Sequence, residues 1–340
     1  MAESGTMRGT DEIQSYKAQV VAELQKKGMW AGVEPEGLEL VMLKDGIGEL
    51  KPPEDCGASA VVVKPRSDLT TILSCHLAWS EYGVAVPLLA HTADFTVEAL
   101  AKRRDYDETP EGLLKEWVDN AGLTARLHRA PTTWFDGHCR EVLQDYYPLL
   151  KEEPLNSALY AAVARGRSGG FSKEDLPQTN KLRELMAILP RPMGEHAERL
   201  VNVHGDLWDG NILHMPDGTA VLTDFEQSVV TSAVQDLVHV THKPLMAAYL
   251  EAMTGDKPSE AEADRLLLEA KIAEHVHFFV IRSLFGYDDQ PGNIDELIEH
   301  SRVFATFATK LREDAECAKK ILDKGDSVDW RGAMESEMQS

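Results

Sequence analysis

Three residues with oxygen-bearing side chains, Asp206, Asn211 and Asp224, lie close together in the stretch from Val203 to Phe225, VHGDLWDGNILHMPDGTAVLTDF. Asp206 and Asn211 are five residues apart in a short polar loop, and Asp224 follows two short apolar stretches. Amide and carboxylate oxygens suit Mg²⁺, which uses few protein groups and completes its octahedron with phosphate and water. We interpret Asn211 and Asp224 as metal ligands and Asp206 as the group that orients or deprotonates a hydroxyl. This combination predicts phosphoryl transfer.

The apolar stretches between Asn211 and Asp224 predict a β-hairpin, because they are separated by Pro216-Asp217-Gly218. Asp-Gly between apolar runs favours a tight turn, since both turn positions tolerate positive φ. A two-residue turn at Asp-Gly places His214 opposite Val221. The same register places Asn211 directly opposite Asp224, where Cα atoms are about 4.5–5.5 Å apart. We therefore expect the two proposed metal ligands to converge.

The segment HGDLWDGN, followed by LTDFE, resembles the catalytic and metal loops of the aminoglycoside phosphotransferase and choline/ethanolamine kinase-like superfamily. That superfamily shares the protein-kinase architecture. The resemblance implies an α+β, bilobal protein-kinase-like fold, with a small N-terminal lobe built on an antiparallel sheet and a larger, mainly helical C-terminal lobe. We expect the N-terminal lobe over residues 1–97, the C-terminal lobe over residues 98–330, and a polar, disordered tail over residues 331–340.

The resemblance also implies residues that bind ATP. Lys64 ends a predicted strand at the place where an ammonium reaches the nucleotide phosphates. Gly46 and Gly48 lie in the connection that would cover those phosphates, although an ordinary irregular loop remains an alternative there. Glu98 lies in the strand that leads to the hinge, where adenine would bind.

The acidic partner expected for Lys64 is missing from the next predicted helix, Ser67 to Tyr82. That helix offers only Asp68 and Glu81, one near each end. The ion pair that normally holds this lysine is therefore in doubt.

Further residues in the C-terminal part have expected roles. Asp236 follows DFE at the spacing of a buried aspartate that accepts backbone N–H bonds from the catalytic loop. His128, His204 and Trp208 are interpreted as packing or loop-holding groups. Aromatic residues that could cage a substrate ammonium by cation–π contact, or else form core, follow later in the chain. The substrate-binding candidates are Glu226, Phe278, Phe279 and Tyr287, with Phe285 and Trp330 as additional aromatic candidates.

Periodicity predicts the elements that position these residues. The predicted strands cover 38–42 and 58–64. The predicted helices cover 11–28, 67–82, 111–128, 155–165, 180–189, 260–285 and 294–317.

Composition limits the classes of partner. The 340 residues carry 57 acidic and 35 basic side chains, a net charge of −22, which argues against nucleic acid and anionic membranes and suits a cationic substrate. No apolar run approaches the roughly 20 residues of a membrane span. Four scattered cysteines and a polar N-terminus predict a cytoplasmic protein with reduced thiols. The oligomeric state stays open.

Together these features predict a kinase that uses ATP and Mg²⁺ to phosphorylate the hydroxyl of a small molecule. An acceptor similar to choline or ethanolamine is favoured by DFE, and an amino sugar remains open. A nucleotide-binding pseudokinase with a regulatory or scaffold role is the alternative, because the glycine loop is unusual and the partner of Lys64 is missing.

Overall fold

The computed structural model describes residues 10–43, 47–65, 70–103, 109–135, 138–147, 159, 163, 179–238, 242–285, 294–324 and 328–338. The strands, in chain order, are β1 Glu39–Met42, β2 Gly48–Lys51, β3 Val61–Pro65, β4 Leu88–His91, β5 Phe95–Ala99, β6 Leu200–Val203, β7 Ile212–His214, β8 Ala220–Leu222 and β9 Val229–Ser232. The helices are α1 Thr10–Lys26, α2 Thr70–Glu81, α3 Pro110–Arg129, α4 His138–Tyr146, α5 Thr179–Ile188, α6 Glu195–Glu198, α7 Val234–Leu237, α8 Lys243–Thr254, α9 Glu260–Phe285, α10 Ile294–Glu313, α11 Ala315–Leu322 and α12 Trp330–Met338.

By compactness the chain divides into two units. The first comprises Met1–Asp105 and Ile212–Thr223, and the second comprises Tyr106–Asn211 and Asp224–Ser340. These limits differ from the expected division at residues 97 and 98, because the hairpin between the two proposed metal ligands belongs to the first unit. The chain therefore leaves the second unit immediately after Asn211 and re-enters it at Asp224.

The first unit is built on a five-stranded antiparallel sheet in the order β1-β2-β3-β5-β4. One face of this sheet packs on α1, where Val20 and Leu24 meet Leu50, Val63 and Val97, all nearly inaccessible to solvent. Burying each such side chain stabilises the fold by roughly 1.5–3 kcal/mol. The sequence did not predict β2, and Gly48 therefore lies in a strand rather than in a phosphate-covering loop.

The hairpin β7–β8 is held to the first unit by backbone hydrogen bonds. The N–H of Val86 donates to the carbonyl of Leu222 at 2.9 Å. Lys102 and His214 exchange a reciprocal pair of backbone bonds at 3.0 and 2.7 Å. The segments that flank β4 and β5 therefore fix the orientation of the hairpin.

The hairpin register differs from the prediction by one residue. His214 pairs with Ala220, and Ile212 pairs with Leu222, so the predicted pairing of His214 with Val221 is wrong. Pro216 has no N–H and favours the second position of a β-turn, and the turn closes with a bond from Gly218 N to Met215 O of 2.8 Å. With Gly218 at φ 86°, the loop has three residues instead of two.

The second unit is mainly helical and carries the short antiparallel pair β6–β9. Its core joins α3, α7, α8 and α9, with Ala125, Leu237, Met246, Tyr249 and Ala270 all buried. In the part of the chain that the structure describes, no helix has the length and apolar character needed to cross a membrane.

Two predicted features of the C-terminal region are wrong, and one predicted helix cannot be compared. The helix predicted over 294–317 is interrupted at Asp314, whose carboxylate accepts the N–H bonds of Glu316 and Cys317 and caps α11. Residues 331–338 of the tail predicted to be disordered are helical and belong to α12, in which Ala333 and Met334 are buried. Most of the helix predicted over 155–165 lies outside the described residues.

Candidate active site

The loop after β6 places Asp206 and Asn211 together. The side-chain nitrogen of Asn211 donates to the carbonyl oxygen of Asp206 at 2.8 Å and lies 3.2 Å from its carboxylate oxygen Oδ2. Asn211 is 5% exposed, whereas Asp206 is half-buried. Because the amide nitrogen donates to Asp206, the amide oxygen Oδ1 is the atom that can face a cation.

Gly205 determines how closely this loop approaches the segment after β8. Its φ of 81° is left-handed, and a Cβ built on it would lie 2.5 Å from the carbonyl oxygen of Gln227. Only glycine fits both the backbone conformation and the space. The position of Asp206 therefore depends on its glycine neighbour.

Asp236 in α7 anchors the start of the loop from inside the core. It is completely buried, and its carboxylate accepts the N–H groups of His204 at 2.8 Å and Gly205 at 3.0 Å. His128 of α3 lies 3.2 Å from the same carboxylate, and the other ring nitrogen of His128 lies 2.8 Å from the hydroxyl of Tyr249. The loop-holding role predicted for Asp236 is confirmed.

The charge of Asp236 is balanced by these contacts. Burial acts to raise the pKa of Asp236, but the hydrogen bond and the charge of His128, with smaller contributions from His204 and the Gly205 N–H, leave that pKa below its usual value. A buried carboxylate with several donors stays ionised and keeps the loop in one shape.

The other packing predictions have mixed outcomes. His128 and His204 are fully buried, and the ring of His204 lies against that of Phe225 at 5.8 Å between centroids, as expected for packing groups. Trp208 is 53% exposed, which the prediction of a packed side chain did not anticipate. Its ring lies over Gly210, where a Cβ would come within 2.2 Å of it.

Asp224 has unusual backbone geometry. Its φ of 65° lies in the left-handed region, which costs a residue with a side chain roughly 1–2 kcal/mol. Phe225 beside it is buried, whereas Asp224 itself is exposed. Such backbone strain is typical of functional sites.

The β7–β8 ladder ends at the pair Ile212–Leu222, so Asn211 and Asp224 lie outside it. The predicted direct pairing of these two residues is therefore wrong. Their joint role as metal ligands stays a prediction, carried by their residue types and by the loop geometry around each of them.

Lys64, at the end of β3 in the first unit, has two partners. Its ammonium lies 2.7 Å from the carboxylate of Glu98 on β5 and donates to the hydroxyl of Thr223 at 2.8 Å. Glu98 is 4% exposed. The carboxylate of Glu98 therefore contacts Lys64. A role of Glu98 in cofactor binding would depend on this contact, whereas the sequence predicted a contact at the hinge.

The remaining candidates are placed as follows. Asp68, Gly46 and Tyr287 lie outside the described residues, as does the side chain of Phe285. Glu81 and Glu226 are exposed, and Phe278 is 37% exposed. Phe279 stacks on His300 at 4.0 Å between centroids, and Trp330 lies 5.2 Å from His275, so both aromatic candidates belong to a ring cluster.

Sequence reasoning missed Thr223 and His76. Thr223 comes directly before the DFE segment, but its contact with Lys64 spans 159 residues and has no local signal. His76 is a lone histidine in the largely apolar α2, and its Nε2 lies 2.7 Å from the carbonyl of Val86. Its central position in that helix was the available clue.

The chain is similar to known phosphotransferases. A sequence profile of the phosphotransferase enzyme family matches residues 95–270, just over half of the chain. An ethanolamine kinase of Plasmodium vivax is similar in structure over 89% of this chain and 90% of its own, with 11% identity and a TM-score of 0.57. A choline kinase of Cryptosporidium parvum is similar over 88% of this chain and 97% of its own, with 13% identity and a TM-score of 0.53.

At these identities the likeness concerns the fold, and it confirms the predicted α+β, protein-kinase-like architecture. No curated protein sequence matches the chain significantly.

Proposed function

Because this chain belongs to the phosphotransferase enzyme family, we propose that it is a kinase that uses ATP and Mg²⁺ to phosphorylate the hydroxyl of a small, cationic molecule. The observation that carries the proposal is the bonding of Asn211, whose amide nitrogen contacts both the carbonyl and the carboxylate of Asp206. In the proposed site the Asp206 carboxylate would face the acceptor and the Asn211 amide oxygen would face the metal, within one loop.

The residues present fit a magnesium ion. The amide oxygen of Asn211 and the carboxylate of Asp224 are hard oxygen donors, and Mg²⁺ typically binds through one or two protein groups together with nucleotide phosphates and water. When bound, the ion would neutralise charge on the nucleotide phosphates. Asn211 and Asp224 would hold it.

Asp206 would orient the acceptor hydroxyl and accept its proton. Phosphoryl transfer requires little covalent help from the protein, so positioning and charge neutralisation supply most of the rate. The contacts of Asp206 with Asn211 and the anchoring of the preceding backbone on Asp236 restrict the directions in which its carboxylate can point.

Lys64 would neutralise charge on the phosphates of the nucleotide. Its side chain is one-quarter exposed, so its ammonium can meet a ligand while one side stays on the buried Glu98. Gly48 lies in β2, so we expect it to act through the packing of β2 against β1 and not through a loop contact with the phosphates. A Cβ at this position would lie 2.7 Å from the Cδ1 methyl group of Leu40 on β1, so the Leu40 side chain would have to shift.

The charge of the chain supports a cationic acceptor. With a net charge of −22 the chain attracts cations, and the exposed carboxylates of Asp209 and Glu226 lie in the two segments that carry the proposed chemistry. An amino alcohol similar to choline or ethanolamine, or an amino sugar, fits this charge. Cys56, Cys75, Cys139 and Cys317 are all free thiols, which supports action in the cytosol.

A screen of acceptors tests the proposal. ADP release is measured with ATP, with and without Mg²⁺, against a panel of amino alcohols, amino sugars and uncharged alcohols of equal size. We expect Mg²⁺-dependent release stimulated by cationic acceptors. Nucleotide binding without turnover on any acceptor would instead favour a regulatory pseudokinase, and the absence of nucleotide binding would contradict both readings.

A further inference from the structure

We propose that Glu98 is the acid that positions Lys64 for the nucleotide phosphates, and that it takes the place of an acid from α2. The inference rests on the proposed function, because it concerns how the same site holds ATP. Glu98 acts through Lys64 and is therefore a positioning residue.

The register of the sheet places the two side chains on one face. Strands β3 and β5 are antiparallel neighbours, with Val62 opposite Glu98 and Lys64 opposite Thr96. Val62 and Lys64 are two residues apart and so point to the same face, and Glu98 shares that face because it is directly opposite Val62. The diagonal pair is within reach of long side chains, and the observed distance between nitrogen and oxygen is 2.7 Å.

Both members of the ion pair therefore lie on neighbouring strands of one sheet. An acid on a helix can withdraw when the helix moves, whereas the backbone bonds between β3 and β5 fix the positions of both Lys64 and Glu98. Glu98 is 4% exposed. Its carboxylate requires a partner, because an unpaired buried carboxylate is strongly unfavourable. The lysine is thus held in the folded chain before any nucleotide arrives.

The helix contributes a neutral residue at this place. His76 of α2 has its Nδ1 3.8 Å from Glu98, while its Nε2 lies 2.7 Å from the carbonyl of Val86. A carbonyl can only accept, so Nε2 carries the hydrogen, and Nδ1 of the neutral ring has no hydrogen to donate to Glu98. Burial lowers the pKa of His76, which outweighs the raising effect of Glu98, and the ring stays neutral at pH 7. Lys64, and not His76, is therefore the cation that pairs with the carboxylate of Glu98.

The contact of Lys64 with its second partner, Thr223, can be replaced by a contact with a nucleotide phosphate. The hydroxyl of Thr223 is neutral and lies 2.8 Å from the ammonium. A phosphate oxygen is a stronger, charged acceptor and can replace a hydroxyl, while the carboxylate of Glu98 keeps the lysine in place. Lys64 would then contact Glu98 in the free and the bound protein alike.

The test compares Glu98→Gln with Glu81→Gln, a matched change of the exposed acid on α2. Calorimetry measures Kd for Mg·ATP, and initial rates measure KM for ATP and for the best acceptor. We expect Glu98→Gln to raise Kd and KM for ATP by about tenfold or more, the loss typical of a charge-assisted contact, with KM for the acceptor unchanged. Glu81→Gln should behave as the wild type.

Two further variants keep the result interpretable. Lys64→Met combined with Glu98→Gln should bind Mg·ATP no more weakly than Lys64→Met alone, because Glu98 acts through the lysine. If Glu98→Gln does not fold, Glu98→Asp keeps the charge on a shorter stem, and an affinity below that of the wild type is expected. Wild-type affinity in Glu98→Gln or Glu98→Asp, an equal loss in Glu81→Gln, or additive losses in the double variant would overturn the inference.

The wild-type titration separates the two proposals. A wild-type chain that does not bind Mg·ATP contradicts the proposed function. A wild type that binds, with Glu98→Gln equal to it, contradicts only the role of Glu98.

Discussion

Two residues of the candidate site hold left-handed backbone, Gly205 at φ 81° and Asp224 at φ 65°. At Gly205 there is also no room for a side chain, because the carbonyl oxygen of Gln227 lies 2.5 Å from where a Cβ would be. At Asp224 a side chain is retained despite the strain. Both positions are left-handed, but glycine avoids the steric cost at Gly205, whereas Asp224, a proposed metal ligand, bears that cost.

Gly205→Ala should therefore reduce activity more than its conformational cost explains. The control is Gly218→Ala, which has φ 86° but no atom within 4 Å of a new Cβ. Each change carries roughly 1–2 kcal/mol of left-handed strain, and Gly205→Ala must also displace the loop from Gln227. We expect a larger fall in Tm and at least a tenfold larger loss of kcat for Gly205→Ala, measured by thermal melts and ADP release. Equal effects of both variants would contradict this view of the loop.

At this scale the sequence identified the residues whose spacing carries information. The interval between Asp206 and Asn211, and the position of Lys64 at a strand end, are local features. The partners of Lys64 are not, because Glu98 reaches it through strand pairing and Thr223 through a contact 159 residues away. Single-sequence periodicity contains no register between strands, so an acid expected on α2 could not be reassigned to β5.

Among the elements of the second unit, three helices meet through a cluster of five rings. We call these the ring cluster: His275 of α9, its neighbour Phe279, His300 and Phe304 of α10, and Trp330 of α12. The Nε2 atoms of His275 and His300 are 3.0 Å apart, so one donates and the other accepts. Burial, together with His300, lowers the pKa of His275 to about 3, and burial with Arg331 lowers that of His300.

This cluster makes stability depend on pH. The unfolded chain protonates His275 near pH 6.5, whereas the folded chain resists protonation down to about pH 3. The stabilising contribution of His275 is complete above pH 6.5 and declines by about 1.4 kcal/mol per pH unit as the pH falls from 6.5 towards 3.

Chemical denaturation at pH 7.5 and 5.5 should show a lower free energy of unfolding at pH 5.5. His275→Phe should weaken that dependence by about one proton, whereas His91→Phe, at an exposed position, should retain it. An unchanged slope in His275→Phe would contradict the assignment.

The elements themselves were predicted well where the apolar pattern is long. The helix predicted over 260–285 coincides with α9, and those predicted over 111–128 and 180–189 differ from α3 and α5 by one residue at each end. The failures have local physical causes. Asp314 caps a new helix within a continuous apolar pattern, and Pro216 lengthens the hairpin turn by one residue. In α12, Ala333 and Met334 are buried although their segment is polar overall.

For the whole molecule, the family and the architecture agree: the chain belongs to the phosphotransferase enzyme family and has a protein-kinase-like fold. The residues proposed for the chemistry fall in both compact units of the chain. Asp206, Asn211 and Asp224 belong to the second unit, whereas Lys64, Glu98 and Thr223 belong to the first. The hairpin insertion between Asn211 and Asp224 explains why neighbours in sequence contribute to both units.

The central claim is that Asp206 serves the acceptor and Asp224 serves the metal. Titration of Mg·ATP into Asp206→Asn and Asp224→Ala, beside a turnover assay on the same preparations, tests it most directly. Asp206→Asn keeps shape and hydrogen bonding but loses the charge, so kcat should fall by at least ~10²-fold while Mg·ATP affinity hardly changes. Asp224→Ala should lose Mg²⁺-dependent nucleotide binding together with activity. Equal loss of binding in both variants, or full activity in Asp206→Asn, would contradict the account.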